Sequence, residues 1–416
     1  MELRCTVCHK PYIGPRNHYA CTYCGASIEA PVDLKKDPGH LIEVLRRGSS
    51  DGIWGYRAFF RVPEQAEPVT MGEGNTPLLH TDRMGKAYGM KNLYLKNETL
   101  NPSGTYKDRF ATVAMTLAKD DGITEVAIGS AGNAAAAVAA YAAKAGMECY
   151  IMLPPGAVKE RAWQNMGYGG HFIYGMGGVN DCVQMAEDGE ALFGWKNMCT
   201  TMMNNPLACD GYKTIAYETA RSMNFEAPDY VICPVGGGIV VHKVYRGYEE
   251  MYELGLIDHL PKMIAVQAAG CAPLVKAFEE GKRETEKWEN GDTIAFAIFD
   301  PVTFEGITAL DTVRRSGGLA VALPDEEILS VMRDCARLEA VVPEPASAAT
   351  VAAAKRLHEQ GIIREEDKVV CVLTGSGLRD LKLYASEKDD APRAEPGNAE
   401  SLKQAVSFYR EKEGQR

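Results

Sequence analysis

From Asn92 onward, short apolar runs alternate with longer segments whose apolar residues recur at helical spacing. "NLYLK", "EVAIGS", "ECYIMLP", "HFIYG", "YVICPVGGG", "MIAVQAAG", "GLAVAL" and "KVVCVLTGSG" are too short for helices and mostly stop at Gly or Pro, so they predict strands. Helix patterns lie between them. They run from Lys107 to Lys119, through the alanine-rich "AAAAVAAYAAKAG" closed by Gly146, and through "VKERAWQNMG" and "VNDCVQMAEDGEALF". Others follow "PVGGG" as far as Leu254, follow Pro324-Asp325-Glu326-Glu327 at "EILSVMRDCARLEA", and cover "PASAATVAAAKRLHEQG". This alternation predicts an α/β protein with mostly parallel sheets. Residues 25–70 are Pro-rich and polar and read as a connector with one helix at "LIEVLRRG"; the tail from 386 is polar, with one terminal helix. No internal repeat of solenoid period is present.

Composition narrows the class. Hydrophobic residues make up 46% and charged residues 24% of 416, as in a soluble globular protein of two domains. A formal charge of −11 argues against nucleic acid as the main partner. The N-terminus "MELRCTVCHK" lacks the apolar core of a signal peptide, and no apolar run is long enough to span a membrane, so the expected location is cytoplasmic.

The cysteines divide into two groups. Cys5 and Cys8 form one C-x2-C pair, Cys21 and Cys24 another, with residues 9–20 between. Two such pairs can present four thiolates tetrahedrally, which predicts a structural zinc ribbon over residues 1–30. The other cysteines are scattered among apolar neighbours and read as reduced, buried thiols.

Four segments at expected strand ends carry candidate chemistry, because ligands of parallel sheets gather at the carboxyl ends of the strands. Lys107, in "NPSGTYKDRF", follows a strand and a Pro-Ser-Gly turn; an amine held there can form a Schiff base. "GSAGN" ends at Asn133, whose amide can meet a phenolic or carboxylate oxygen. Gly236, Gly237 and Gly238 precede a helix and suit an anion such as phosphate. Thr374, in "TGSG", offers a neutral hydroxyl to a ring nitrogen.

In this order, "GEGNTPL", "NPSGTYKDR", "SAGN", "DGYKT", "PVGGG", "SGGLAVALPDEEIL", "EPASAA" and "TGSGLRD" resemble the pyridoxal-phosphate enzymes of fold type II, and among them the threonine synthase family. The resemblance runs from Gly72 to Asp380. It implies two doubly wound, mostly parallel-sheet domains: a large one from 31–110 and 207–385, and a small one from 111–206, with 386–416 as a polar tail. It implies that Lys107 carries pyridoxal 5'-phosphate, that Asn133 meets the phenolic oxygen, that Gly236 to Gly238 hold the phosphate, and that Thr374 faces the pyridine nitrogen. Lys107 then also takes the α-proton of an amino-acid substrate. The turn at 103–104 would hold the substrate carboxylate, with Ser103 and Thr105 as binding residues. A homodimer is implied as well.

The chain departs from the family pattern where a substrate phosphate would be gripped. Ala134, Met203, Ala208 and Ser376 stand where the family has polar or basic residues, and Ile239 and Val240 replace further Gly or Asn. Either Asn204, Asn205 or Lys213 compensates, or the leaving group is smaller or less charged. The reaction implied is O-phospho-L-homoserine to L-threonine and phosphate. The alternative is a related lyase or replacement enzyme, such as a serine/threonine dehydratase. A non-catalytic binding protein is disfavoured by the retained Lys107.

Overall fold

The computed structural model describes residues 3–14, 19–48, 50–130, 132–154, 159–384 and 391–413. Val158, expected to open a helix, Ala131 of "GSAGN" and residues 386–390 of the expected tail lie outside them. The chain divides into two compact units, Met1–Arg379 and Asp380–Arg416.

The first unit holds three sheets. The largest has six strands in the order Leu319–Leu323, Lys262–Ala268, Tyr230–Pro234, Lys368–Leu373, Asn92–Asn97 and Leu78–His80. Every pairing in it is parallel except the last, where Leu78–His80 runs antiparallel to Asn92–Asn97. A second, wholly parallel sheet has the order His171–Tyr174, Glu148–Leu153, Glu125–Gly129, Lys196–Asn197. All its strands fall within 111–206. Tyr230–Pro234 is buried at every position, as expected of a parallel strand covered on both faces, which is why its sequence is an apolar run without alternation. The helix Asn133–Ala145 owes its form to alanine, the best helix former, and ends at Gly146 with φ +72°.

The third sheet is the pair Arg4–Cys5 and Ile28–Glu29, antiparallel. Its own core is only Cys5, Cys21, Ala26 and Ile28. It rests instead on the larger body. Thr6 Oγ1 lies 3.0 Å from Thr308 Oγ1, Ser27 N–H donates to the same hydroxyl at 3.1 Å, and Tyr19 N–H donates to Met203 O at 2.7 Å.

Several elements escape the sequence patterns, among them the helices Asp82–Tyr88, Thr214–Ser222, Pro273–Glu279 and Gly306–Arg315. Thr214–Ser222 shows why. Its buried positions include Thr214, Glu218 and Thr219, so its inward face is partly polar and held by partners distant in sequence. The chief partner is Arg109. It donates from Nε and Nη2 to Glu98 at 2.6 and 2.8 Å, and from Nη1 and Nη2 to Glu218 at 2.6 and 2.7 Å. Lys96 Nζ adds a bond to Glu218 at 2.6 Å. All four side chains are within 2% of full burial. Burial alone would raise the Glu218 carboxyl, but Arg109 and Lys96 overturn that and hold it well below the usual carboxylate range. Gly211, in "DGYKT", completes the joint: a Cβ there would stand 1.9 Å from Arg109 O.

Arg109→Met should therefore leave Glu98 without its ion-pair partner and Glu218 with Lys96 alone, and cost about 3–5 kcal/mol. Urea unfolding of the variant beside the parent protein measures it.

Candidate active site

Lys107 stands immediately before the helix Asp108–Asp120 with φ −61° and ψ −20°, so the helix fixes the backbone that carries it. The preceding turn is tied at both ends. Ser103 donates from N, at 2.7 Å, and from Oγ to the Asp108 carboxylate. Tyr106 N–H donates to Thr374 O at 2.9 Å, and Ser376 N–H to Gly104 O at 2.9 Å. Two loops distant in sequence are thereby joined, and the amine between them opens into a cavity.

That cavity measures about 160 Å³, where about 10–15 Å³ admits one water, so it takes a small organic molecule. Its lining includes Lys107, Asn133, Gly236, Gly237, Gly238 and Thr374. These come from the ends of Glu125–Gly129, Tyr230–Pro234 and Lys368–Leu373 and from the turn after Asn92–Asn97. Lys107 Nζ donates to Thr200 Oγ1 at 2.7 Å and lies 5.1 and 5.7 Å from the ring centres of Tyr106 and Tyr212. Thr374 Oγ1 meets Ser347 Oγ at 3.2 Å. Asn133 donates from Nδ2 to both Glu344 oxygens at 2.9 Å and accepts from Arg379 at Oδ1. Its contact with a cofactor oxygen therefore requires one N–H to leave Glu344.

The helix Ile239–Glu253 begins at Gly238, whose φ is +100°, and no side chain caps it. Its first N–H groups have no intrahelical partner, and Gly238, Ile239 and Val240 all line the cavity. A Cβ on Gly236 would meet Asp300 Oδ2 at 2.8 Å, so only glycine leaves the cradle open. An amine, an uncapped helix start and a neutral hydroxyl in one cavity fit pyridoxal phosphate.

The residues expected to bind substrate are engaged within the fold. Ser103 spends its N–H and hydroxyl on Asp108, and Thr105 Oγ1 donates to Thr374 O at 3.1 Å. Asn204 bonds Thr201 and Glu187, and Asn205 donates to Asn197 O and Cys199 O. None of the four lines the cavity. Lys213 is buried against Phe59 O and Glu250, so it cannot replace the missing basic residue. Besides Lys107, Asn133 and Thr374, polar side chains among the described lining residues include Tyr106, Ser130, Thr200, Thr201, Asp300, Glu305 and Glu344. Asp300 and Glu305 lie with Phe296, Phe299 and Phe304 on the long connection between two helices. A run of aromatic residues around acids in a segment without helix or strand pattern was the available signal.

Burial pushes the carboxyls of Asp108 and Asp300 up to about 7 and that of Glu305 up to about 8. Lys107 opposes the shift at Asp300 and Glu305 without cancelling it.

The similarity to known proteins follows the same geometry. The family model described as "Pyridoxal-phosphate dependent enzyme" matches residues 69–375. Threonine synthase of Methanocaldococcus jannaschii is 37% identical over 393 residues, covering 93% of this chain and 96% of its own. Threonine synthase of Methanosarcina acetivorans is 34% identical over 409 residues, 97% and 98% of the two chains. The chain belongs to the threonine synthase family of pyridoxal-phosphate dependent enzymes. It is a pyridoxal-phosphate dependent lyase. Among solved structures, threonine deaminase isoform 2 from Solanum lycopersicum superposes with a TM-score of 0.65 at 19% identity, over 90% of this chain and 98% of that one. Maize serine racemase gives 0.62 at 20% identity over 80% and 93%. These two share the fold.

The raised carboxyls make a pH dependence. Each binds its proton more tightly in the folded chain than in the unfolded one, where carboxyls titrate near ~4. Their stabilising contribution is fully present below that value and is lost as pH rises through about 7 for Asp108 and Asp300 and about 8 for Glu305. Urea midpoints of the cofactor-free protein should fall from about pH 5 to about pH 9, and Asp300→Asn should flatten the fall.

Proposed function

We propose that the protein converts O-phospho-L-homoserine and water to L-threonine and phosphate. The observation that carries this reading is the opening of the Lys107 amine into the same cavity as the uncapped helix start at Gly238, Thr374 and Asn133. Pyridoxal phosphate, when bound, supplies a carbonyl for amine capture and an electron sink for carbanion chemistry. Lys107 would hold the cofactor through Nζ, and the same amine is placed to take the substrate's α-proton. Thr200 Oγ1 accepts from the free Lys107 amine and holds it at the cavity. Gly236 to Gly238 and the N–H groups of the following helix grip the cofactor phosphate. Thr374 would offer the cofactor's ring nitrogen a hydroxyl without a charge of its own. Phe296, Phe299 and Phe304 wall the site against bulk water. Ser130, Thr200 and Thr201 take the place of the family's polar residues around the leaving phosphate.

A second reading has one observation in its favour: among the described residues lining the cavity, Lys107 is the one basic side chain. A less charged leaving group, as in a serine or threonine dehydratase, would suit such a site.

The four Sγ atoms of Cys5, Cys8, Cys21 and Cys24 lie within 4.8 Å of one another. That spacing and donor set suit tetrahedral zinc, with Zn–S near ~2.3 Å, and the ribbon's scant core gives the metal a structural part. A homodimer in the cytoplasm completes the reading. Among the described residues no helix is long and apolar enough to cross a membrane.

Incubation with O-phospho-L-homoserine should release phosphate and threonine in equal amounts. Ammonia and a 2-oxo acid from serine or threonine, without phosphate release, would favour the second reading. Lys107→Ala should lose at least ~10²-fold in rate and the borohydride-fixed adduct of the cofactor. Metal analysis should find about one zinc per chain, and Cys21→Ser should lower both zinc content and Tm.

A further inference from the structure

The cradle at Gly236 to Gly238 is bordered by a carboxyl that the reaction above does not use. Glu305 is 2% exposed. Its Oε1 accepts from Met202 N at 2.8 Å, and its own N–H donates to Gly237 O at 2.8 Å. The other oxygen, Oε2, has no hydrogen-bond partner among the described residues. It lies 3.4 Å from the place a Cβ on Gly237 would take. Buried polar atoms are nearly always paired, so an orphan oxygen on a cavity wall points to a ligand group. A phosphate held by the glycines would lie beside that oxygen.

An ionised carboxylate there would set acceptor against acceptor and negative charge against negative charge. A neutral carboxyl has one O–H to give. We propose that Glu305 is a cofactor-binding residue that donates a hydrogen bond from Oε2, as a neutral acid, to the phosphate at Gly236 to Gly238. This rests on the reading that those glycines hold the cofactor phosphate.

The titratable and charged groups that face Glu305 agree with it. Burial is the largest influence and pushes the carboxyl up to about 8. Asp300, from the same connection, adds to the rise when ionised, and Lys107, across the cavity, opposes it. Cys209 and Tyr212, from the segment before Thr214, are both kept neutral by burial and reinforced by Glu305 itself. The Met202 N–H at Oε1 and, across the cavity, Lys107 favour the carboxylate without cancelling the effect of burial, and a bound phosphate dianion would oppose them.

The test uses the full-length protein freed of cofactor and two probes. 4-Deoxypyridoxine 5'-phosphate keeps the phosphate but has no aldehyde for Lys107; 4-deoxypyridoxine lacks the phosphate as well. Calorimetric titration in buffers of different ionisation enthalpy reads both affinity and proton uptake. The phosphate probe should bind with uptake approaching one proton per site at about pH 9. Relative to Glu305→Gln, its affinity should fall ~10-fold per pH unit above about pH 8. Glu305→Gln keeps an N–H donor at the same place, so it should bind the probe without taking up a proton. Asp300→Asn should keep the uptake. Uptake that persists in Glu305→Gln, or vanishes in Asp300→Asn, overturns the proposal. If Glu305→Gln does not fold, absence of uptake in the parent protein overturns it equally. Equal affinity for the two probes would mean that the glycines do not hold the phosphate, a separate failure that removes the reading on which the proposal rests.

Discussion

The guanidinium of Arg109 has no exposure and makes paired contacts with two carboxylates, Glu98 and Glu218, while Lys96 shares the second. Two cations and two anions are balanced within one dry cluster. Around it close Thr76, Asn101 and Thr214, so that nearly every lone pair of the carboxylates is used. Such a cluster adds little net stability over an apolar substitute, but it is intolerant of any missing member. Its value is positional. Glu98 lies just past the strand that precedes the lysine turn, Glu218 lies on the helix after "DGYKT", and Arg109 is two residues from Lys107. The amine can take only the place this joint gives it.

The cavity in front of that amine has an unusual charge pattern for a site that handles phosphate. Three acids, Asp300, Glu305 and Glu344, line it with a single described basic side chain. The pattern is tolerable because low dielectric favours neutral carboxyls, and the raised Asp300 and Glu305 are the signs of it. The donors that the cavity offers a phosphate are then mainly backbone N–H groups and neutral hydroxyls. Those donors need exact placement more than charge, and placement comes from the sheet ends and the helix start.

The cysteine ribbon belongs to the same economy of position. Its Tyr19 N–H donates to Met203 O, the N–H of the preceding residue, Met202, donates to Glu305, and Glu305 N–H donates to Gly237 O. Thr308, gripped by Thr6 and Ser27, opens the helix that follows Glu305. A small module with almost no core of its own is thus continuous with the wall of the site.

By itself, the sequence determined the α/β alternation, because buried parallel strands must read as apolar runs and their helices as amphipathic or alanine-rich ones. It also singled out Lys107, Gly236 to Gly238 and Thr374, which the structure brings to one cavity, and the four clustered thiols, since each chemistry proposed for them restricts the residue types that can serve it. It did not determine what Ser103, Thr105, Asn204, Asn205 and Lys213 do. Those residues carry suitable groups, but hydrogen bonds to Asp108, Thr374, Thr201, Cys199 and Glu250 consume them. Nor did it show Thr200, Asp300 and Glu305, which reach the site from segments with no periodic signal. Only the tertiary structure decides which polar groups are already satisfied and which still face an opening, because a hydrogen bond depends on distance in space and the sequence records only order along the chain.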